Sequence, residues 1–252
     1  MPYLLQSPSN EESRTVAMAA MLQTPSVPIR YCALEHLPQA EELRNFDLIV
    51  GSVEFMREVF TRLGVPEPEN LSYPLALRSF LLRPVFEINH WSDAIDPALG
   101  LGQEFFVKPM HLKRFTGFVA GRAPQDMDSH DAEQFEVFRH CREPMWASPA
   151  IKFQCEWRFY IQQGKVIGAG RYDPEGAEDA PVPDSTVVQA AVAAFEQAPC
   201  AYSLDFAVDE FGQTVLVEGN DAWALGLYDK ALSARDYATF LQLRYQEIVR
   251  LS

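Results

Sequence analysis

Two apolar segments near the carboxyl end of the chain, each containing a carboxylate, constrain the fold most strongly. Residues 202–208 read YSLDFAV and residues 214–220 read TVLVEGN, with the turn-forming sequence DEFGQ between them. Apolar residues on both sides of such a turn predict an antiparallel hairpin. A loop of two or four residues places Asp205 opposite Glu218. Asn220 then shares a face with Glu218, because side chains alternate along a strand.

The polar side chains of this hairpin predict a cation site. A carboxylate within an apolar strand is unfavourable unless it is paired or binds a cation. Two carboxylates and an amide oxygen on one sheet face are hard oxygen ligands, which suit Mg²⁺. An outward-facing polar stripe on a half-exposed sheet explains the same pattern, so both interpretations stay open at this point.

A second segment carries cations where a strand ends. In residues 105–118, FFVKPMHLKRFTGF, Lys108 ends an apolar strand that Pro109 stops, and Lys113 follows in a loop with an arginine, a threonine and a glycine. A loop with cations, a hydroxyl group and a glycine is able to close over phosphate groups. The alternative is an ordinary lysine at a strand end.

A third segment, residues 155–172, reads CEWRFYIQQGKVIGAGRY and predicts two strands joined by a QQGK turn. Glu156 and Arg158 share one strand face, and Arg171 ends the next strand. In a structural role, Glu156 and Arg158 form an ion pair that contributes little if exposed. In a functional role, Arg158 and Arg171 lie side by side and bind a phosphate or a carboxylate group.

Composition excludes several classes of function. The chain of 252 residues has 21 Lys and Arg against 35 Asp and Glu, a net charge of −14. This balance argues against a nucleic-acid-binding protein, which needs a basic face, and against an anionic membrane as partner. The four cysteines form no CxxC pair, and GxGxxG, P-loop, GxSxG and HExxH motifs are absent. We expect a cytoplasmic protein.

Strands and helices alternate in the first part of the chain, which predicts a small α/β layer with parallel pairing. The predicted strands cover residues 3–5, 29–34 and 47–52, and the predicted helices cover residues 11–23 and 53–64. Farther along, strands are predicted at 104–109, 115–121, within 146–174, at 202–208 and at 214–220. Helices are predicted at 131–141, 185–198 and 236–251.

The order of these motifs resembles the ATP-grasp superfamily. It combines FVKP with a following loop lysine, E-x-R before a G-K hairpin, and SLDFAV followed by VLVEGN. The resemblance is greatest to small stand-alone bacterial members of a clade marked by one arginine and two lysines, and it covers residues 75–230. It implies an α+β fold in which two subdomains grip ATP, preceded by a small α/β domain. Residues 1–88 are then the preceding domain, and residues 89–252 are the ATP-grasp domain.

The resemblance also implies roles for individual residues. Lys108 and Lys113 correspond to the phosphate-binding lysines, although the loop of Lys113 lacks the glycine run of other members. The segment WASPAI, residues 146–151, lies where the adenine-binding hinge runs. The nucleotide-binding residues implied in total are Lys108, Lys113, Ala147, Ile151 and Glu156.

Further roles concern the reaction itself. Arg158 and Arg171, with Lys113, resemble residues that hold the transferring phosphate or the substrate carboxylate. The implied metal ligands are Asp205, Glu218 and Asn220. Trp223 and Tyr228 either line the substrate mouth or belong to the core.

The activity implied is that of an ATP-dependent carboxylate–amine ligase that acts with Mg²⁺ through an acyl phosphate. Its partners would be a small-molecule or peptide carboxylate and an amine acceptor. Two other functions stay open from the sequence. One is a kinase that stops at phosphoryl transfer, and the other is a non-catalytic nucleotide-binding or interaction module.

Overall fold

The structure, a computed structural model, describes residues 2–95, 97–102, 104–110, 116–121, 127, 129–172, 179–228 and 231–250. The chain divides into two compact units. One consists of Met1–Leu77 with Gln154–Ser252, and the other of Arg78–Phe153. The domain boundary expected after residue 88 stays a prediction.

The first unit contains a three-stranded parallel sheet near the amino terminus, which confirms the predicted α/β layer. Its strands are β1 (Tyr3–Gln6), β2 (Ile29–Cys32) and β3 (Leu48–Val50), and β1 lies in the middle. Leu4 and Leu5 of the central strand are fully buried. Apolar residues on both faces of β1 require cover on both sides, as is typical of parallel sheets.

Three helices accompany this sheet: α1 (Glu11–Met21), the short α2 (Ala40–Leu43) and α3 (Val53–Leu63). The Asn10 side chain caps α1 by accepting a hydrogen bond from the Ser13 backbone N–H at 2.9 Å. Gly64 ends α3 in the left-handed conformation with φ of 70°, which glycine adopts without steric strain.

The second unit contains an antiparallel sheet of four strands in the order β4-β7-β5-β6. Its strands are β4 (Phe86–Ile88), β5 (Phe105–Pro109), β6 (Phe118–Ala120) and β7 (Met145–Pro149), and its helices are α4 (Trp91–Ala94) and α5 (Ser129–Phe138). Phe138 of α5 is fully buried and makes edge-to-face contacts with Phe105 and Phe118. These aromatic contacts hold the helix on the sheet.

A second four-stranded sheet lies in the first unit, with the order β11-β10-β8-β9. Its strands are β8 (Phe153–Gln162), β9 (Lys165–Arg171), β10 (Ala201–Asp209) and β11 (Thr214–Asp221). The predicted QQGK turn is confirmed, because Gln163 and Gly164 connect β8 to β9 with φ of 50° and 71°. Two central residues with positive φ are typical of a tight hairpin turn.

Helices α6 (Ser185–Ala194) and α7 (Ala234–Arg250) pack on opposite faces of this sheet. On the α6 side, the Tyr202 ring of β10 contacts the Phe195 ring, which follows the helix, at 5.5 Å. On the α7 side, the Tyr160 ring of β8 contacts the Phe240 ring at 5.7 Å. Residues of α7 also share one hydrophobic core with the amino-terminal sheet. Within the described residues, no helix is both long and apolar enough to cross a membrane.

Candidate functional site

The hairpin of β10 and β11 brings the two predicted carboxylates together. Asp205 lies directly opposite Glu218, as predicted, and Ser203 lies opposite Asn220. A β-bulge shifts the register beyond Asp205, so that Phe206 pairs with Leu216. Bulges increase the local twist and re-aim side chains, which suits a binding site. All nine residues of β10 are buried, so the alternative of an outward-facing polar stripe is wrong for Asp205.

Asn220 joins the two carboxylates through its side-chain amide. Its Nδ2 group donates hydrogen bonds to Asp205 Oδ2 at 3.1 Å and to Glu218 Oε1 at 3.2 Å. The three side chains therefore converge on one sheet face, as the alternation of strand residues predicts. Their use as metal ligands stays a prediction.

Arg158 of β8 lies beside this group and binds Asp205 in bidentate fashion. Its Nε atom is 2.8 Å from Asp205 Oδ1, and its Nη2 atom is 2.7 Å from Asp205 Oδ2. The side chains are 6% and 0% exposed. Burial by itself lowers the pKa of Arg158, but the hydrogen bonds and the charge of Asp205 outweigh burial and raise it. The guanidinium group is therefore charged, and its partner is Asp205 rather than the Glu156 of the predicted ion pair.

Two tyrosine rings cover the guanidinium group of Arg158. The ring centroid of Tyr228 is 4.7 Å from Cζ of Arg158, and that of Tyr172 is 5.4 Å away. The two rings also contact each other, with centroids 4.6 Å apart. Cation–π contacts of this kind stabilise a charged group that has little access to water. Burial, followed by a hydrogen bond with Tyr228, raises the pKa of Tyr172.

The chain segment that carries Tyr228 is held on the sheet by Tyr160. The Tyr160 hydroxyl group donates to the Gly226 carbonyl oxygen and accepts from the Tyr228 backbone N–H, both at 2.9 Å. Burial raises the pKa of Tyr160 to about 12. The segment lies so close to β9 that a Cβ atom on Gly170 would be 2.4 Å from the Tyr228 carbonyl oxygen. Gly170 is therefore required for this close approach.

The two aromatic residues named from the sequence differ in role. Tyr228 belongs to the site, whereas Trp223 packs against the core, with its ring 5.5 Å from that of Phe60. Tyr172 was missed by the sequence interpretation, although it directly follows Arg171. Its backbone N–H donates to the Glu156 carbonyl oxygen at 2.9 Å, which places it beside the β8 strand.

The expectation that Arg171 lies beside Arg158 is wrong. Arg171 is in register with Trp157, and Arg158 is in register with Gly170. Because directly opposite residues of an antiparallel pair point to the same face, Arg171 lies on the face opposite Arg158. Glu156 shares the face of Arg158, as predicted, and is partly buried. The functional roles of Arg171 and Glu156 stay predictions.

The remaining predicted residues lie in the second unit. Lys108 is the fourth residue of β5, partly buried and in register with Trp146. Ala147 is a buried residue of β7, in register with both Phe86 and Val107. Ile151 follows β7 in the connection to β8. Lys113 lies outside the described residues.

The donor atoms beside Arg158 fit a hard divalent cation. Within the described part of the chain, no cluster of three or more His, Cys, Asp and Glu side chains is placed to hold a metal ion. The third protein ligand would therefore be the amide oxygen of Asn220, beside the carboxylates of Asp205 and Glu218. Because Arg158 balances one carboxylate, the group has one negative charge in excess. A divalent cation would make it positive and favour an anion beside it.

Comparison with known proteins follows the same lines. The family model that matches residues 32–248 describes an ATP-grasp domain, family 3 of the clade marked by one arginine and two lysines. No curated protein matches the sequence.

Three solved structures are similar over nearly the whole chain. D-cycloserine synthetase DcsG is 16% identical, with a TM-score of 0.60 and coverage of 100% of both chains. The D-alanine–D-alanine ligase from Bacillus anthracis, complexed with ATP, is 15% identical, with a TM-score of 0.55 and coverage of 99% of this chain and 96% of that one. The ATP-grasp ligase PsnB, complexed with a minimal precursor, is 13% identical, with a TM-score of 0.55 and coverage of 95% and 97%.

These similarities confirm the predicted α+β class and the ATP-grasp fold. With a family model that matches most of its length, the chain belongs to the ATP-grasp domains, in family 3 of the clade marked by one arginine and two lysines.

Proposed function

We propose that the protein is an ATP-dependent carboxylate–amine ligase that uses Mg²⁺. The observation that supports this most directly is the buried group of Arg158, Asp205, Glu218 and Asn220 in a chain of the ATP-grasp family. Oxygen ligands for a hard cation lie beside a fixed guanidinium group. This combination suits a nucleotide whose phosphates are bound through a divalent cation.

Arg158 has two roles in this proposal. Its Nε and Nη2 groups hold Asp205 in one orientation, which fixes one ligand of the cation. Among the described residues, none accepts a hydrogen bond from its Nη1 group. These two N–H groups therefore suit an oxygen atom of the transferred phosphoryl group or of the substrate carboxylate.

The nucleotide contacts proposed for the rest of the chain follow the family resemblance. Lys108 and Lys113 bind phosphate oxygens, Ala147 and Ile151 contact the adenine through backbone groups, and Glu156 also contacts the nucleotide. When bound, Mg²⁺ neutralises negative charge on the phosphate oxygens during phosphoryl transfer.

In the proposed reaction, the substrate carboxylate takes up the γ-phosphoryl group and becomes an acyl phosphate. An amine then attacks the acyl carbon and phosphate leaves, so that the products are an amide, ADP and phosphate. An acyl phosphate is sensitive to water. The rings of Tyr172 and Tyr228 cover Arg158 and would limit the access of water to this position. The carboxylate is a small molecule or a peptide, and the protein is proposed to act in the cytoplasm.

The test is a screen for ADP release with Mg²⁺, ATP, and panels of amino acids and short peptides, with mass spectrometry of the products. We expect ADP release that requires both a carboxylate and an amine, together with a new amide. Glu218→Gln should abolish the release while the thermal melting temperature is kept. Glu67→Gln, which changes an exposed carboxylate, is the control and should retain activity.

Two outcomes would contradict the ligase proposal. ADP release with a carboxylate alone, giving a stable phosphorylated product, would indicate a kinase. Nucleotide binding without ADP release under any of these conditions would indicate a non-catalytic module.

A further inference from the structure

The Asn220 side chain presents its nitrogen, not its oxygen, to the two carboxylates. Its Nδ2 group donates to both Asp205 Oδ2 and Glu218 Oε1. An amide NH₂ group has two donor hydrogens and no acceptor, so it cannot bind a cation in this orientation. Both hydrogens are directed at oxygen atoms that a cation at the same place would use.

Asp205 Oδ2 illustrates the conflict. It accepts one hydrogen bond from Arg158 Nη2 at 2.7 Å and a second from Asn220 Nδ2 at 3.1 Å. These two bonds match the two lone pairs of a carboxylate oxygen. A rotation of the Asn220 amide would remove one of them and would bring Oδ1 toward the carboxylates in place of Nδ2.

A rotated amide needs a new acceptor for its Nδ2 group, and Ser203 is placed to supply it. Ser203 lies directly opposite Asn220 in the hairpin, so the two side chains share the face of Asp205 and Glu218. The Ser203 side chain is fully buried, and its hydroxyl group has no hydrogen-bond partner among the described residues. A buried hydroxyl group without a partner is rare and unfavourable.

We propose that the Asn220 amide has two positions and that Ser203 is the positioning residue for the second. Without a cation, the NH₂ group bridges Asp205 and Glu218 and reduces the repulsion between them. With a cation, the amide rotates by half a turn, Oδ1 becomes the third ligand, and Nδ2 donates to Ser203 Oγ after a change of the serine rotamer. This inference rests on the proposed cation site of the ligase.

The predicted consequence for Ser203→Ala is an unusual combination of effects. Without cation, the variant loses no hydrogen bond, so its melting temperature should equal or exceed that of the wild type. With cation, the rotated amide has no acceptor, so affinity should fall by about fivefold, the effect of one neutral hydrogen bond.

The chain offers a matched control in Ser13. This side chain is also fully buried, but its hydroxyl group donates to the Val50 carbonyl oxygen at 3.4 Å. Ser13→Ala should therefore lower the melting temperature without any change in cation affinity. The two serines differ in whether the hydroxyl group has a partner, which separates a positioning role from a structural one.

The experiment measures the binding of Mn²⁺ by electron paramagnetic resonance, in the presence of a non-hydrolysable ATP analogue, for the wild type and both variants. Melting temperatures are measured without metal and nucleotide. If the wild type binds no Mn²⁺, the cation site of the proposed function is wrong, and the inference is wrong with it. If the wild type binds Mn²⁺ and Ser203→Ala binds it equally well, only the role of Ser203 is wrong. A melting temperature of Ser203→Ala that falls as in Ser13→Ala, with unchanged affinity, would also overturn it.

Discussion

Replacing Asp205 by Asn tests the energetic importance of the buried ion pair. The variant keeps the shape of the side chain and removes its charge, whereas Arg158 keeps its proton because a guanidinium group does not lose it in proteins. With a side chain that is only 6% exposed, Arg158 would then be charged without a counter-charge from residue 205. Breaking a buried pair by removing one partner costs about 3 to 5 kcal/mol.

Urea denaturation followed by tryptophan fluorescence measures this loss. With a denaturant dependence of about 3 kcal/mol/M for a chain of this size, the midpoint should fall by about 1 to 2 M. Arg57 and Glu67 offer the control, since their pair is also bidentate, at 2.8 to 3.0 Å, but their side chains are 26% and 43% exposed. Glu67→Gln should cost less than about 1 kcal/mol. Equal midpoints for the two variants would refute the argument that burial makes the Arg158–Asp205 pair important.

The other predictions concern three positions. Arg158→Lys keeps the charge but loses the bidentate geometry, so ADP release should fall more than ATP affinity; equal losses would indicate a role in nucleotide binding alone. Lys108→Ala should weaken ATP binding in calorimetry without lowering the melting temperature, and unchanged affinity would remove Lys108 from the site. Burial raises the pKa of Tyr202 to about 12, so the unfolded state loses this proton first and stability falls as the pH rises from about 10 to 12. Because the Tyr202 hydroxyl group has no partner among the described residues, Tyr202→Phe should keep stability at pH 7 and reduce the alkaline loss. An unchanged urea midpoint difference between pH 8 and pH 11 would contradict this.

The arrangement of Arg158 also bears on the strength of cation binding. Asp205 shares its charge with Arg158 in the same buried place. A cation bound there has a weaker protein field than one bound by two unpaired carboxylates. We therefore expect tight binding of the cation to require the phosphates of the nucleotide as additional ligands. This is why the Mn²⁺ measurement includes an ATP analogue.

Local features of the sequence determined much of the fold. Apolar periodicity and end signals located α3, where Gly64 ends the helix and Pro66 follows. The alternation of strand residues and the turn between them determined that Asp205 lies opposite Glu218, with Asn220 on the same face. These predictions succeeded because they depend on the geometry of neighbouring residues, which is the same in every hairpin.

The pairing between β8 and β9 shows where such reasoning ends. The sequence indicated that Arg158 and Arg171 lie on adjacent strands, but their relative face depends on the register that the turn sets. One position of difference places Tyr172, rather than Arg171, beside Arg158. No composition or motif signal distinguishes these two registers.

By itself, the sequence determined the elements of the chain, the order of its motifs and the convergence of Asp205, Glu218 and Asn220. Only the tertiary structure decided that Arg158 pairs with Asp205, that Tyr228 covers the guanidinium group, and that the Ser203 hydroxyl group lies buried opposite Asn220. Local patterns arise from residues close together in the chain. By contrast, Asp205 is 47 positions from Arg158, and the two meet because β8 and β10 are neighbours in the sheet. Strand order comes from packing the whole core, so a single sequence leaves such contacts undetermined.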